Sequence, residues 1–352
     1  MRLSVYLSWV FLENVPVQRF LFKLFTSRVS GMFMGLNSVF MIITALQNSS
    51  TLQTVLLPVS NVFDCYSAFT CLSVSRQARF WSILRKILRL VNVMEATLGE
   101  KVWMDNTKRI IGMFCATTLS YAIFVFSSLW TELFLSGTSL YISWPFEPYL
   151  GSWGEHVGQV YYNFVHLSLV CLCVVWMYTA VGCATCTSAG LHHALAQYLI
   201  SNVTPRTTEN AVKMHQQLRL VTLDMVDFFA GNLAKIMAHS FCNAVIATIQ
   251  VLANEVSSGT FVNLIAVSLL FTSLCFFSQM LSDASLALQT CAYRAATSGV
   301  QLPEAHALAL VMLAAGRPPA LRCRGLGRLN LAAAGDAFRR LYSVISVLGT
   351  KY

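Results

Sequence analysis

The side chain best placed to do chemistry is Asp64, in the middle of the apolar run 55 to 75. A carboxylate in such a run is expensive unless it faces the interior of a helix bundle or is protonated. Aromatic side chains recur around it: Phe63 and Tyr66 on the same run, Tyr121, Phe124 and Trp130 on the next, and Tyr162 and His166 entering the one after. Together they would line an aromatic pocket in the outer half of a bundle, with His166 as a polar handle. Two ordinary roles compete with that reading. Aromatics near the ends of spanning helices form interfacial belts, and a buried histidine is commonly a satisfied structural one. The pairs Cys171 with Cys173 and Cys183 with Cys186 have spacings that resemble metal-binding pairs. An apolar run gives thiolates no solvation, so these read as small hydrophobes in packed helices, with no metal and no cofactor. No nucleophile and base stand in a recognisable constellation, so the chain does not read as an enzyme.

Such residues would have to be positioned by membrane-spanning helices. Of 352 residues, 56% are hydrophobic and 11% charged, with a mean hydropathy of +0.61, against about 25% charged for a soluble domain. A helix needs about 20 apolar residues to cross a bilayer. Runs near 29 to 46, 55 to 75, 110 to 130, 158 to 181, 237 to 254, 261 to 282 and 329 to 350 meet that need, which predicts an all-α membrane protein of seven transmembrane helices. The cations gather in alternate connections: Arg2 to Arg28, Arg76 to Arg109, Arg206 to Lys235 and Arg294 to Arg328, while 47 to 54, 131 to 157 and 255 to 260 contain none. Lys and Arg near spans stay in the cytoplasm, so the N-terminus is expected inside and, after an odd number of crossings, the C-terminus outside. The net charge of +9 then faces anionic membrane lipid, and no nucleic acid is implied. Residues 1 to 12 are apolar, but no small-residue cleavage site follows, so the first span is expected to act as its own signal. Most of the 11 cysteines lie inside spans and the outer connections hold none, which excludes an extracellular disulfide framework.

The cytoplasmic side is more than loops. After an N-terminal segment 1 to 28 and the first four spans with the pocket (29 to 185), residues 186 to 236 read as a helical stalk. From Thr207 one helix runs into the fifth span, with Met214, Leu218, Val221, Met225 and Phe228 spaced as a knobs-into-holes seam, a subunit anchor, and the fourth span extends inward through Leu191, Leu195, Leu199 and Ile200 to meet it. Spans five and six (237 to 282) lead to an anchor region, 283 to 328, where Pro303 opens a short helix that Gly316 and Pro318-Pro319 end. The last helix, 329 to 352 with its tail, carries Asp336, Arg339 and Arg340, is poorly suited to lipid, and is the candidate pore lining.

Around these elements the residues begin to resemble a family. Ala305 with Leu308, Leu310, Met312 and Leu313, then Arg317-Pro318-Pro319, Gly327, Leu329, Ala337-Phe338, Tyr342-Ser343 and Leu348 look like the C-terminal signature of insect odorant receptors. Pro145-Phe146-Glu147, Tyr161-Tyr162 with His166, His215-Gln216 and Ala292-Tyr293 match at family-like spacing. The connection before the last helix departs from the pattern, being rich in Gly, Ala and Arg. What the resemblance implies is a subunit of a ligand-gated, non-selective cation channel, four subunits to a pore, shared with a co-receptor in a heterotetramer. It also implies a small volatile odorant in the outer pocket, the plasma membrane of olfactory neuron dendrites, and a hydrophobic gate near the end of the last helix at Ile345 and Leu348, one turn apart.

Gustatory receptors of the same superfamily are the alternative; they end in a Thr-Tyr pair with a downstream Gln-Phe, whereas this chain has Leu341-Tyr342 and Gly349-Thr350. A G-protein-coupled receptor would need the opposite orientation, and a secondary transporter would show internal repeats, which these spans lack.

Overall fold

The computed structural model describes residues 3–11, 27–47, 52–98, 102–131, 145–165, 172–201, 204–253, 258–298, 301–325 and 327–349. In chain order these form α1 (Leu3–Val10), α2 (Arg28–Gln47), α3 (Leu52–Ser75), α4 (Ala78–Leu98), α5 (Val102–Thr131), α6 (Phe146–Leu150), α7 (Ser152–Asn163), α8 (Leu172–Ser201), α9 (Pro205–Leu252), α10 (Ser258–Thr297), α11 (Leu302–Ala315), a two-stranded hairpin β1 (Arg322–Cys323) and β2 (Gly327–Arg328), and α12 (Leu331–Gly349). The fold is all-α, as the apolar runs predict. Among the described residues five helices, α2, α5, α8, α9 and α10, are long and apolar enough to cross a membrane. The expected second and last spans fall on α3 and α12, whose apolar faces are interrupted by Asn61 and Asp64 and by Asp336, Arg339 and Arg340. The expected fourth span runs from α7 into α8, with 166–171 outside the described residues.

The centre of the molecule is α8. It is hydrophobic on every side, and a helix of that kind is stable only when surrounded. Its buried residues include Ala180, Gly182, Cys183, Ala184, Ala189 and Gly190, small side chains that let neighbouring backbones approach as they do in membrane bundles. A Cβ on Gly182 would stand 2.3 Å from the Phe114 ring of α5, and one on Gly190 would stand 2.4 Å from Thr107 Oγ1. The Phe114 ring cannot simply move, since it is buried and sits edge-on against Phe277 of α10 at 4.7 Å.

Two helices outreach any bilayer. At 48 residues, α9 is about 72 Å long, and at 40 residues, α10 is about 60 Å long, against a hydrocarbon core of about 30 Å. Each therefore has a length that a bilayer's hydrocarbon would leave uncovered. The helix α9 starts where the chain provides for it: Thr204 accepts from Thr207 N while the Thr207 hydroxyl accepts from Thr204 N, with Pro205 in the first turn. On this helix Met214, Leu218, Met225 and Phe228 are buried and Val221 half-buried, all packed in the chain's own core.

The cations that follow α3 lie on an amphipathic helix. On α4 Phe80, Ile83, Leu84, Ile87, Val91 and Met94 are buried, and on its polar face Arg79 reaches Asp224 at 2.8 Å and Asp227 at 3.0 Å while Lys86 reaches Asp224 at 3.3 Å. Such exposed pairs are worth at most about 1 kcal/mol each, so the buried face decides the packing and the ion pairs set its register. Glu95 accepts from Leu3 N at 2.7 Å and Ser4 Oγ at 2.9 Å, tying the start of α1 to α4.

The hairpin between α11 and α12 closes on two glycines with positive φ, Gly325 (94°) and Gly327 (83°), where a side chain would be strained. Leu321 N donates to Ser278 Oγ of α10 at 2.9 Å and Arg324 N to Ala230 O of α9 at 3.4 Å, which clips it to both helices. Asn330 then caps α12, its Oδ1 accepting from Ala333 N at 2.7 Å.

Packing around α8 makes a direct prediction. Gly182→Ala should lower the thermal midpoint of the purified protein by the equivalent of about 1–3 kcal/mol, and Phe114→Leu in the same chain should recover part of that loss. Gly335→Ala, which meets no atom within 4 Å, should cost nothing. Equal effects at the two glycines would contradict the close approach of α5 to α8.

Candidate ligand site

The polar residues of the spans are joined in a belt. Asn243 of α9 donates to Asp64 Oδ1 of α3 at 2.7 Å and accepts from Ser60 Oγ at 3.2 Å. On the other side of α3, Asn37 of α2 donates to Asn61 Oδ1 at 2.8 Å. Asn37, Ser60, Asn61 and Asn243 are all buried. Asp64 lies four residues after Ser60 and three after Asn61, so one stretch of α3 faces two neighbours and holds them by hydrogen bonds. In hydrocarbon each of these groups needs such a partner. Asn243, which the sequence did not single out, supplies the partner that Asp64 requires.

The eight expected pocket residues divide. Tyr121 and Tyr162 turn inward, each 8% exposed, Phe63 and Asp64 are half-buried, and Tyr66 and Phe124 turn outward at 50% and 43%. The side chain of Trp130 and the whole of His166 lie outside the described residues. A different set of rings comes together instead. Phe33 and Phe40 of α2, Phe146 of α6 and Tyr161 of α7 form a cluster in which Phe40 meets Phe146 at 6.2 Å and Tyr161 at 6.0 Å, and Phe146 meets Tyr161 at 5.4 Å. Met41 and Tyr162 are buried beside it. The signal was present: Phe33 and Phe40 are seven apart on one helix face, and Phe146 stands in the Pro145-Phe146-Glu147 triplet. Offset and edge-on rings of this kind offer apolar area and a quadrupole to a small aromatic or aliphatic molecule, and the Tyr161 hydroxyl donates to Phe33 O at 3.5 Å. An open groove of about 670 Å³ lies elsewhere, along α10 beside Leu331.

The last helix packs on one side only. Phe338 meets Phe271 of α10 at 6.4 Å and Ala334 is buried. Asp336, Arg340, Ser343 and Val347, spaced four, three and four, form an exposed stripe with Tyr342 beside it. Arg339 pairs with Asp336 at 2.9 Å, which occupies one of the two cations that would otherwise repel positive ions. Ile345 and Leu348 lie on this helix with their side chains outside the described residues.

No family model and no curated protein matches the chain by sequence. The fold, however, is that of a solved receptor. It is similar to an insect olfactory receptor, OR5 from Machilis hrabei, in complex with eugenol, with a TM-score of 0.73 at 14% identity over 92% of this chain and 88% of that one. It is also similar to the structure of that receptor whose description names no ligand, with a TM-score of 0.71 at 13% identity and the same coverage. At such identity the likeness establishes an insect odorant receptor-like fold, and the membrane helices go with it.

The belt is tested by a double-mutant cycle. Asp64→Ala and Asn243→Ala should each destabilise the protein, and their combined loss should fall short of the sum by about 0.6–1.7 kcal/mol, the range of hydrogen-bond couplings inside membrane bundles. Strict additivity would separate the two side chains.

Proposed function

We propose that the chain is a subunit of an odorant-gated, non-selective cation channel that works as a tetramer with co-receptor subunits in the plasma membrane of olfactory neuron dendrites. The observation that carries this reading is the exposed stripe of α12. A helix bearing Asp336, Arg339, Arg340 and Ser343 on an uncovered face cannot present that face to hydrocarbon at low cost. Water in a pore, or a neighbouring subunit, would accept it. The likeness to a receptor solved with eugenol supports a small organic ligand as the stimulus, and the ring cluster of α2, α6 and α7 offers it a surface.

In this reading the ligand sits among Phe40, Phe146, Tyr161, Tyr162 and Tyr121, gaining affinity mainly from buried apolar area at about 25 cal/mol per Å². Asp64 and the belt hold α2, α3 and α9 in register beneath it. The stalk seam is covered by the chain itself, so assembly is assigned to the apolar side chains left bare on the stalk and in the anchor region, Leu220 on α9 and Leu302, Leu310 and Leu313 on α11, each at least 63% exposed. Opening is assigned to α12, where Ile345 and Leu348 would close a narrow apolar tube that gives ions no substitute for hydration.

The experiment is to express the chain with and without a co-receptor and to record currents evoked by a panel of volatile organics that includes eugenol. Phe146→Ala and Tyr162→Ala should change relative potencies across agonists by severalfold, and Tyr66→Ala should not. Ile345→Ser should raise ligand-independent current at normal surface expression. If no volatile evokes current in either setting, the channel reading fails; if currents appear but the ring variants leave every potency ratio unchanged, the ligand binds elsewhere.

A further inference from the structure

Between Glu304 and Asp336 the chain has no acidic residue but carries Arg317, Arg322, Arg324 and Arg328. All four are exposed, and among the described residues none of them takes part in an ion pair. Arg322 and Arg328 are direct partners across the hairpin. The bond from Leu329 N to Leu321 O, 2.8 Å, flanks this pair instead of joining it, so the two residues share one face with Cβ atoms about 4.5–5.5 Å apart. Like charges in that relation destabilise a ladder unless an anion lies against them.

The position of the hairpin says where such an anion would come from. Leu321, next to Arg322, is bonded to Ser278 of α10, two residues after Phe276, at which the open groove ends. The groove is lined by Leu264, Leu269, Thr272 and Phe276 of α10 and by Leu331 of α12, three residues beyond Arg328. From Leu264 to Phe276 the helix rises about 18 Å, close to the half-thickness of a bilayer's hydrocarbon, about 15 Å. An apolar channel about as long as one leaflet is thick thus includes Leu331, three residues along the chain from a cross-strand pair of guanidinium groups.

We propose that this is a binding site for an anionic phospholipid of the leaflet on the hairpin's side, with its phosphate between Arg322 and Arg328 and one acyl chain along the α10 groove. Each half of the site selects for the same molecule: two arginines at cross-strand distance suit the oxygens of a phosphate, and the groove suits a chain that a free phosphate or an acidic peptide lacks. Bound there, the lipid bridges α10 to the start of α12 and offsets the repulsion within the hairpin.

The test uses the full chain in nanodiscs of phosphatidylcholine with and without phosphatidylserine, reading the lipid retained after exchange into detergent and the thermal midpoint. Phosphatidylserine should be retained preferentially and should raise the midpoint. Arg322→Gln with Arg328→Gln should weaken that retention by about fivefold per arginine removed, whereas Lys at both positions should preserve most of it. Thr272→Trp, which fills the groove, should reduce lipid retention whatever the headgroup. On the wild-type chain alone, added salt should release phosphatidylserine before phosphatidylcholine, so the proposal can be decided even if the glutamine variant does not fold. Equal retention of the two lipids by the wild-type chain would overturn the proposal. So would protection by inorganic phosphate or by a polyglutamate peptide as strong as that by phosphatidylserine, since the site would then serve a soluble anion or an acidic protein segment.

Discussion

A hydrocarbon layer offers no hydrogen bonds, and most of this structure follows from that. Backbone amides in such a medium must be satisfied within each segment, which leaves long helices as the solution for an open chain. Polar side chains need partners within the bundle, and those around Asp64 have them: Asn37 donates to Asn61, and Ser60 and Asp64 bond to Asn243. These bonds carry positional information that apolar packing between lipid-like surfaces lacks. They fix α2 and α9 against α3. Where the chain leaves the hydrocarbon the rules change, and amphipathic helices, ion pairs and a hairpin appear on the cation-rich side.

Within the hydrocarbon, closeness comes from small side chains. Gly182 and Gly190 let α5 approach α8 to within a distance that a single methyl group would block. Tight packing of α5, α9 and α10 around α8 makes one continuous core. Away from that core, rings cluster in smaller groups around α2, α6 and α7.

How much of this was legible in the sequence depends on the kind of signal. Membrane helices are, because length and hydropathy are imposed by the bilayer; helix starts are, where Thr204 and Pro205 or Pro303 mark them. The extension of α9 through the seam of Met214, Leu218 and Met225 could be read from spacing, but its partner could not, since an apolar seam looks the same whether its own chain or a second subunit covers it. Facing is hidden for a related reason. Tyr66 and Tyr121 have equal claims to a pocket in sequence, and only the rotation of α3 and α5 sends one outward and the other in. Asp64 announces its need for a partner, yet Asn243 lies 179 residues away and nothing local marks it. The hairpin was visible only as an excess of Gly and Arg.

Spans, stalk, hairpin and last helix all take their meaning from one orientation, in which the cation-bearing connections share a side of the membrane. Epitope tags at the two ends of the chain, probed on intact and on permeabilised cells, test it most directly. The orientation argued from the cations predicts an N-terminal tag reached only after permeabilisation and a C-terminal tag reached without it. An N-terminal tag labelled on intact cells, or a C-terminal tag labelled only once they are opened, would contradict it.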